Sequence, residues 1–322
     1  ANDYFRTDTT GARGMSIVIA QNGKVKYQKG FGIANARIGK EANGHTIYRL
    51  ASVSKAITGV LAFKLDMRNR FDVNKRVREY EDRIPRHHIH TITELLSCRG
   101  RVRHYVAADN GFRRGTSLAL PSAFHGSQLF MDDPLVQLPS DSFYVYSTHA
   151  YTLVAAAMEK ALGRSFSDLV EREISNPYKL PTLKCEDHQN ISPDHALLYI
   201  RRNGRFEEIN RLSYSWAYAG AGMESSAYDL AQFGVKLMDR WILNQNTIDA
   251  MLMVPDTDAD YANGWLVGTT GDEDYYAKGG SQDGTRSYIV CVPSKKLVVT
   301  VLCNTRVDNI HQFGRALARA SW

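Results

Sequence analysis

The chain has 322 residues, 43% hydrophobic and 23% charged, the make-up of an ordinary globular protein with room for one large domain or two lobes. Its net charge of +6, from 40 Lys and Arg against 34 Asp and Glu, is mild and scattered, which argues against a nucleic-acid partner, and no apolar run reaches the length of a transmembrane segment. The four cysteines, Cys98, Cys185, Cys291 and Cys303, show neither zinc-site nor dense disulfide spacing, so four free thiols are expected.

The chain opens at Ala1 rather than at methionine. That fits a mature exported form or a trimmed one, and a periplasmic or secreted location is the expectation. Met15 to Gly32 holds two β-rich runs around Gln21-Asn22-Gly23, a hairpin turn signal. Leu50 to Leu65, LASVSKAITGVLAFKL, predicts a helix of four turns. In the middle, AYTLVAAAMEKALG (Ala150 to Gly163) has helical spacing with Gly163 as its stop. Ser165 with Asp168, and Ser226 with Asp229, read as capping boxes that start further helices, and Asn176-Pro177 ends the first of them. Strand-like runs return in YANGWLVG (Tyr261 to Gly268), RSYIVCV (Arg286 to Val292) and KLVVTVLC (Lys296 to Cys303), the last two joined by a turn at Pro293-Ser294-Lys295. Asn309 to Ala320 has helical spacing again. The fold class this predicts is α+β: one antiparallel sheet built from both chain ends and flanked by helices, with a mostly helical insertion. Residues 1–70 and 205–322 form the sheet lobe of this scheme, and 71–204 the helical one.

Within the helix from Leu50, Ser52 and Lys55 are three residues apart and so share a face. Ser52 falls near the helix N-terminus, where unpaired N–H groups and the macrodipole favour negative charge. A partly buried lysine loses proton affinity, and neighbouring cations lower it further. Such a lysine is able to take the serine proton. The bland alternative makes Ser52 a helix cap and lets Lys55 snorkel to water.

Ser-x-x-Lys, with a later Lys-Thr-Gly element, marks β-lactamases and penicillin-binding proteins. This chain resembles that superfamily, most closely its class C β-lactamase, DD-peptidase and esterase branch. Val53 to Val77 resembles the family's nucleophile helix and the segment after it. His90 to Tyr105 is similar to a TI-x-x-LLSHTSG segment, with Cys98-Arg99-Gly100-Arg101 in place of His-Thr-Ser-Gly. Tyr146 to Gly163 is similar to the Tyr-x-Asn element and its helix, and Tyr276 to Asn304 to the third motif and closing strands. The resemblance implies an active site between the two lobes, with Ser52 as the acylated nucleophile and Lys55 as its proton acceptor. Tyr146 would share the base role and protonate the leaving group. A phenol needs nearby cations to act as a phenolate, and Lys55 and Lys278 are the candidates. Lys278-Gly279-Gly280 stands where the family has Lys-Thr-Gly or His-x-Gly. Its glycines let the substrate approach a strand edge, and the Ser281 and Ser52 N–H groups would hold an oxyanion.

Two positions depart from the pattern. Thr148 stands in place of Asn, with a shorter reach, and Gly279 in place of a threonine whose hydroxyl commonly helps to hold a carboxylate. Both argue against an efficient β-lactamase. The expected activity is a serine hydrolase cleaving an ester or amide of a small-molecule or peptide substrate, with cell-wall peptide among the candidates, and without metal or organic cofactor. The competing reading is a non-catalytic penicillin-binding-like protein. RHHIH (Arg86 to His90) lacks the partners of a catalytic zinc site and reads as solvated loop histidines. Asp132-Asp133-Pro134 and Gly220-Ala221-Gly222 read as turn or backbone-packing elements, and FRRG (Phe112 to Gly115) as an exposed basic loop.

Overall fold

Strand β1 (Gly14–Gln21) turns at Asn22-Gly23 into β2 (Lys24–Asn35). Both turn residues have positive φ, 52° and 74°, the left-handed pair that a two-residue hairpin loop requires and Asn-Gly supplies at little cost. Strands β3 (Lys40–Glu41) and β4 (Ile47–Arg49) follow, then a 3-10 turn over Ala51–Val53 and helix α1 (Ser54–Met67). The middle of the chain contributes α2 (Val77–Tyr80), α3 (Ile92–Leu96), α4 (Ala123–Ser127), α5 (His149–Leu162) and α6 (Phe166–Val170), then β5 (Lys184–Cys185), β6 (Tyr199–Arg202) and β7 (Arg205–Glu208). After these come α7 (Tyr218–Ala221), β8 (Met223–Ser226), α8 (Ala227–Met238) and α9 (Gln245–Leu252). The chain closes with β9 (Leu266–Thr270), β10 (Glu273–Gln282), β11 (Thr285–Val292), β12 (Leu297–Cys303) and α10 (Ile310–Arg319). This computed structural model describes residues 12–106, 119–139, 142–256 and 259–321, so the Phe112 to Gly115 segment lies outside the described residues.

The two chain ends meet in a seven-stranded antiparallel sheet of order β3-β2-β1-β12-β11-β10-β9, as the α+β reading expects. β12 is the seam: Cys303 lies opposite Met15 of β1 and Arg286 of β11. One sheet face packs Met15, Ile17, Val299 and Val301 with Ile310 and Ala318 of α10. The other packs Val18, Ala20, Val298 and Leu302 with Leu230 and Phe233 of α8. A strand covered on both sides is apolar at nearly every position instead of alternating, which accounts for the run Leu-Val-Val-Thr-Val-Leu-Cys. Cys291 pairs in register with Val298, well away from Cys303, and all four cysteines are free and buried.

Helix ends follow their sequence signals in part. Gly163 closes α5 at φ 62°, and Ser226 caps α8 by accepting from the Asp229 amide at 3.1 Å, but the capping box is not completed: the Asp229 carboxylate accepts from the Thr182 amide and hydroxyl, and the Ser226 amide donates to that hydroxyl. Ser165 caps α6 from the Asp168 amide at 3.2 Å, but the Asp168 carboxylate turns outward to Arg164 and Arg172 instead of reaching back to the cap. Beyond Tyr261, the strand begins only at Leu266 and runs to Thr270. Gly264, at φ 96°, bends the chain first and sends Trp265 fully into the core. Among the described residues no helix is long and apolar enough to cross a membrane.

The sheet also fixes the turn that carries Ser52. The Ser287 hydroxyl of β11 donates to the Leu50 carbonyl at 2.5 Å, and Thr285 donates to the Arg49 carbonyl at 2.9 Å. From the other side the Leu50 amide donates to the Met223 carbonyl of β8 at 2.8 Å. Beneath, the buried Arg49 guanidinium is forked onto Glu186 at 2.7 and 3.0 Å, a charge-assisted pair of matched geometry. Ser287→Ala is expected to lower unfolding stability by about 1 kcal/mol, measured as a shift in the urea midpoint at unchanged slope.

Candidate active site

Ser52 sits in the 3-10 turn just before α1. Neither Leu50, which leads into the turn, nor Val53, which leads into the helix, makes a side-chain cap bond, and the Ser52 hydroxyl is half-buried and directed to Lys55, whose Nζ is 3.4 Å away. Ala51 has φ +46°, a left-handed conformation that is strained for any residue with a Cβ, on the order of 1–3 kcal/mol. The Ser54 hydroxyl holds the Ala51 carbonyl at 2.7 Å and accepts from the Met223 amide at 3.1 Å, so the strained turn is pinned from both sides.

Lys55 has no solvent exposure. Its Nζ donates to the Gly220 carbonyl at 2.7 Å and to the Thr148 hydroxyl at 2.8 Å. A neutral amine has two N–H bonds and one lone pair. The two short contacts use the N–H bonds, which leaves the lone pair for the longer contact, to Ser52. Burial pushes the ammonium well below the ordinary lysine range, and the Lys278 charge pushes it the same way.

Lys278, on β10, is also buried, and burial brings it down to about 8. It donates to the Tyr146 hydroxyl at 3.3 Å and lies over the Tyr146 and Tyr261 rings at 4.8 and 4.5 Å. Tyr146 is hydrogen-bonded to Ser52, which favours its ionised form, but burial is larger and pushes the phenol up. The resting side chain is therefore a neutral phenol, not the phenolate that flanking cations suggest from sequence. Ser52, Lys55, Tyr146, Thr148 and Lys278 thus come together from three separate stretches of chain.

The third motif lies where the sheet edge is open. β9 pairs with β10 only as far as Ala277, and the Ser52 turn occupies the edge beyond it. A Cβ on Gly280 would stand 2.3 Å from the Leu50 carbonyl oxygen and 2.9 Å from the Ser52 nitrogen. Only glycine allows that approach, and it sets the exposed Ser281 beside the serine turn.

Several contributors have no sequence signal of their own. The Gly220 carbonyl, in a segment that reads as backbone packing, takes a Lys55 hydrogen. Gln282 donates to the neighbouring Ala221 carbonyl at 3.0 Å. His104 Nδ1 accepts from the Thr148 amide at 3.1 Å, and its ring meets the Tyr146 ring edge-on at 5.5 Å; burial and the Lys55 charge hold it at about 4. The altered Cys98-Arg99 segment is structural. Cys98 is buried at φ 60° with its thiol pushed up by burial, and Arg99 binds Asp256 together with the Ser97 and Tyr261 carbonyls. His88 and His90 are not solvated as expected but 1% and 7% exposed. His88 packs against His87 with its Nε2 2.8 Å from the Met131 carbonyl oxygen, because the loop folds inward. Among the described residues no group of three His, Cys, Asp or Glu is placed to hold a metal ion.

Over its whole length the chain is similar to known proteins. The family model described as Beta-lactamase matches residues 1–321. The serine beta-lactamase-like protein LACTB, mitochondrial, of Bos taurus is 23% identical over 92% of this chain and 74% of its own length. The octameric penicillin-binding protein homologue from Pyrococcus abyssi superposes with a TM-score of 0.82 at 23% identity, over 96% of this chain and 73% of that one. The penicillin-binding protein from Bacillus halodurans does so with a TM-score of 0.82 at 17% identity, over 95% and 96%.

His104 is expected to brace this side of the site. His104→Ala strands the Thr148 amide and should cost about 1 kcal/mol in urea unfolding. His104→Asn, whose Oδ1 stands close to the place of Nδ1, should recover most of it.

Proposed function

The chain belongs to the beta-lactamase family, and on that premise we propose that it is a serine hydrolase working through an acyl-enzyme on Ser52. The observation that carries the proposal is the fully buried Lys55, whose Nζ lies 2.7 Å from the Gly220 carbonyl, 2.8 Å from the Thr148 hydroxyl and 3.4 Å from the Ser52 hydroxyl, so that the neutral amine, with its two N–H bonds on the shorter contacts, turns its lone pair to Ser52. Neutral Lys55 takes the Ser52 proton as Oγ bonds to the acyl carbon. The carbonyl oxygen gains the charge and is held by the Ser52 and Ser281 N–H groups. As the carbonyl re-forms, the bond to the leaving oxygen or nitrogen breaks, and Tyr146 donates its proton to that atom and recovers one from Lys55. Water then attacks the ester, passes its proton back through the same groups, and releases the acid with Ser52 restored. Lys278 holds the Tyr146 hydroxyl in place and keeps Lys55 poorly basic.

The substrate class proposed is a small ester or amide, with short peptides of cell-wall type among the amides. Thr148 does accept from Lys55, so its hydroxyl serves the lysine. It lacks the amide N–H that an asparagine would offer to a substrate carbonyl, and this supports esterase or peptidase action over efficient β-lactam hydrolysis.

Intact-mass measurement after a fluorophosphonate, an activated ester or a β-lactam tests the nucleophile. One adduct is expected on the wild-type chain and none on Ser52→Ala; undiminished labelling of that variant would refute the assignment. An unlabelled wild-type chain that still binds ligand would indicate the non-catalytic reading. Lys55→Ala should reduce turnover about 10²–10⁴-fold with the fold intact by circular dichroism. The acid limb of the rate profile should track deprotonation of Lys55. Lys278 lowers that amine's proton affinity, so Lys278→Met is expected to raise it and move the limb to higher pH; an unmoved limb would separate the two lysines.

A further inference from the structure

The last turns of α1 border a recess of about 690 Å³, within the size range of small-molecule sites. Phe63 and Asp66 line it from that helix, roughly 12–17 Å along the axis from Lys55. Glu94 of α3, Ala250 of α9 and Met253 just beyond α9 line it from the other sides. Among the described residues eight large apolar side chains are exposed, and two of them, Phe143 and Met253, border this one recess. Such grouping of exposed apolar surface is the mark of a contact site rather than of scatter.

Four charged side chains line the recess: Arg99, Asp256, Asp66 and Glu94. Arg99 is forked onto Asp256 at 3.0 and 2.7 Å, and its remaining donors go to the Ser97, Tyr261 and Ala259 carbonyls. All five of its N–H bonds are therefore spent on the protein, and it offers nothing to an anion. Asp66 accepts from the Val73 amide, and Glu94 from the Thr91 amide and hydroxyl. Among the described residues neither carboxylate has a cation within ion-pairing distance. The described lining thus carries two uncompensated negative charges.

Asn263 adds an acceptor of another kind. It lines the same recess and is 4% exposed. Its Nδ2 donates to the Met251 carbonyl at 3.0 Å. A carbonyl partner requires the NH₂ end of the amide there, which fixes the amide orientation. The Oδ1 at the other end is buried and accepts from no group of the protein, an arrangement that native structures keep rare because it is costly. The residue is held in place against α1, since a Cβ on Gly59 would stand 2.1 Å from the Asn263 carbonyl oxygen. The recess is therefore preformed, apolar in its walls, negative in charge, and short of a hydrogen-bond donor.

We propose that this recess is a second ligand site, separate from Ser52, for an ammonium ion carrying an apolar group. The N–H groups of the ligand face the Asp66 and Glu94 carboxylates and Asn263 Oδ1. Its apolar body lies against Phe63, Phe143 and Met253.

Isothermal titration with 2-phenylethylammonium, 2-phenylethanol and 3-phenylpropionate tests the site, since these keep the ring and change the charge. The wild-type chain should bind the ammonium about tenfold more tightly than the alcohol, less so in high salt, and the carboxylate least. Asp66→Asn and Glu94→Gln keep the acceptors for the Val73 and Thr91 amides and remove only charge; each should weaken the ammonium about threefold. Asn263→Leu removes the orphan acceptor and should weaken it about tenfold. Ala250→Trp, at an exposed position of α9, fills the recess and should abolish binding at an unchanged urea midpoint, and it decides the matter where Asn263→Leu does not fold. No saturable binding of the ammonium, equal affinity for the alcohol, or an affinity unmoved by Ala250→Trp or by both charge variants overturns the site.

Discussion

A lysine amine sealed from water three residues beyond a serine is the constraint around which this molecule is arranged. An ammonium in an apolar interior loses its hydration and regains little unless partners are supplied. Here the partners are a main-chain carbonyl and a threonine hydroxyl, neither of which carries a charge to hold the proton on Lys55. The nearest formal charge is another cation, Lys278, which acts in the same direction as burial. Burial and that neighbouring charge both favour the neutral amine of Lys55, the form that takes a proton from Ser52.

The surrounding fold serves that arrangement. A sheet edge must stay free of a further strand if a substrate is to lie against it, and β10 is free beyond Ala277 because β9 ends its pairing there. The serine turn presses onto that edge at Gly280 and carries the positive φ of Ala51 as local strain. Hydrogen bonds from Ser287, Thr285 and Ser54 hold the turn in place. The same edge leads toward the α10 side, where His311 stands against Gly279. The serine turn and the α10 side thus meet the same strand, β10, at Gly280 and Gly279.

Much of this was legible in one dimension. The Asn22-Gly23 turn, the Gly163 stop and the Ser226 cap are local rules, decided within a few residues, and each appears where its residues predict. The doubly buried β12 was legible from its unbroken apolar run. Ser52 and Lys55 were legible as a pair because helical spacing alone puts them on one face. The inward fold of the histidine loop was not, since burial of His88 depends on Met131, over forty residues away. Nor was the neutrality of Tyr146: nearby cations are visible in the sequence as candidates, but the burial that outweighs them is a property of packing.

The sequence by itself determined the elements, their α+β class and the chemical types present in each motif, because these follow from periodicity, caps and turn residues acting over short range. Only the tertiary structure decided that the Gly220 carbonyl completes the shell of Lys55, that His104 stands behind Thr148, and that His311 fills the volume Gly279 leaves. Those contacts join residues tens to hundreds of positions apart. A carbonyl or a missing Cβ has no signature until a distant element is packed against it.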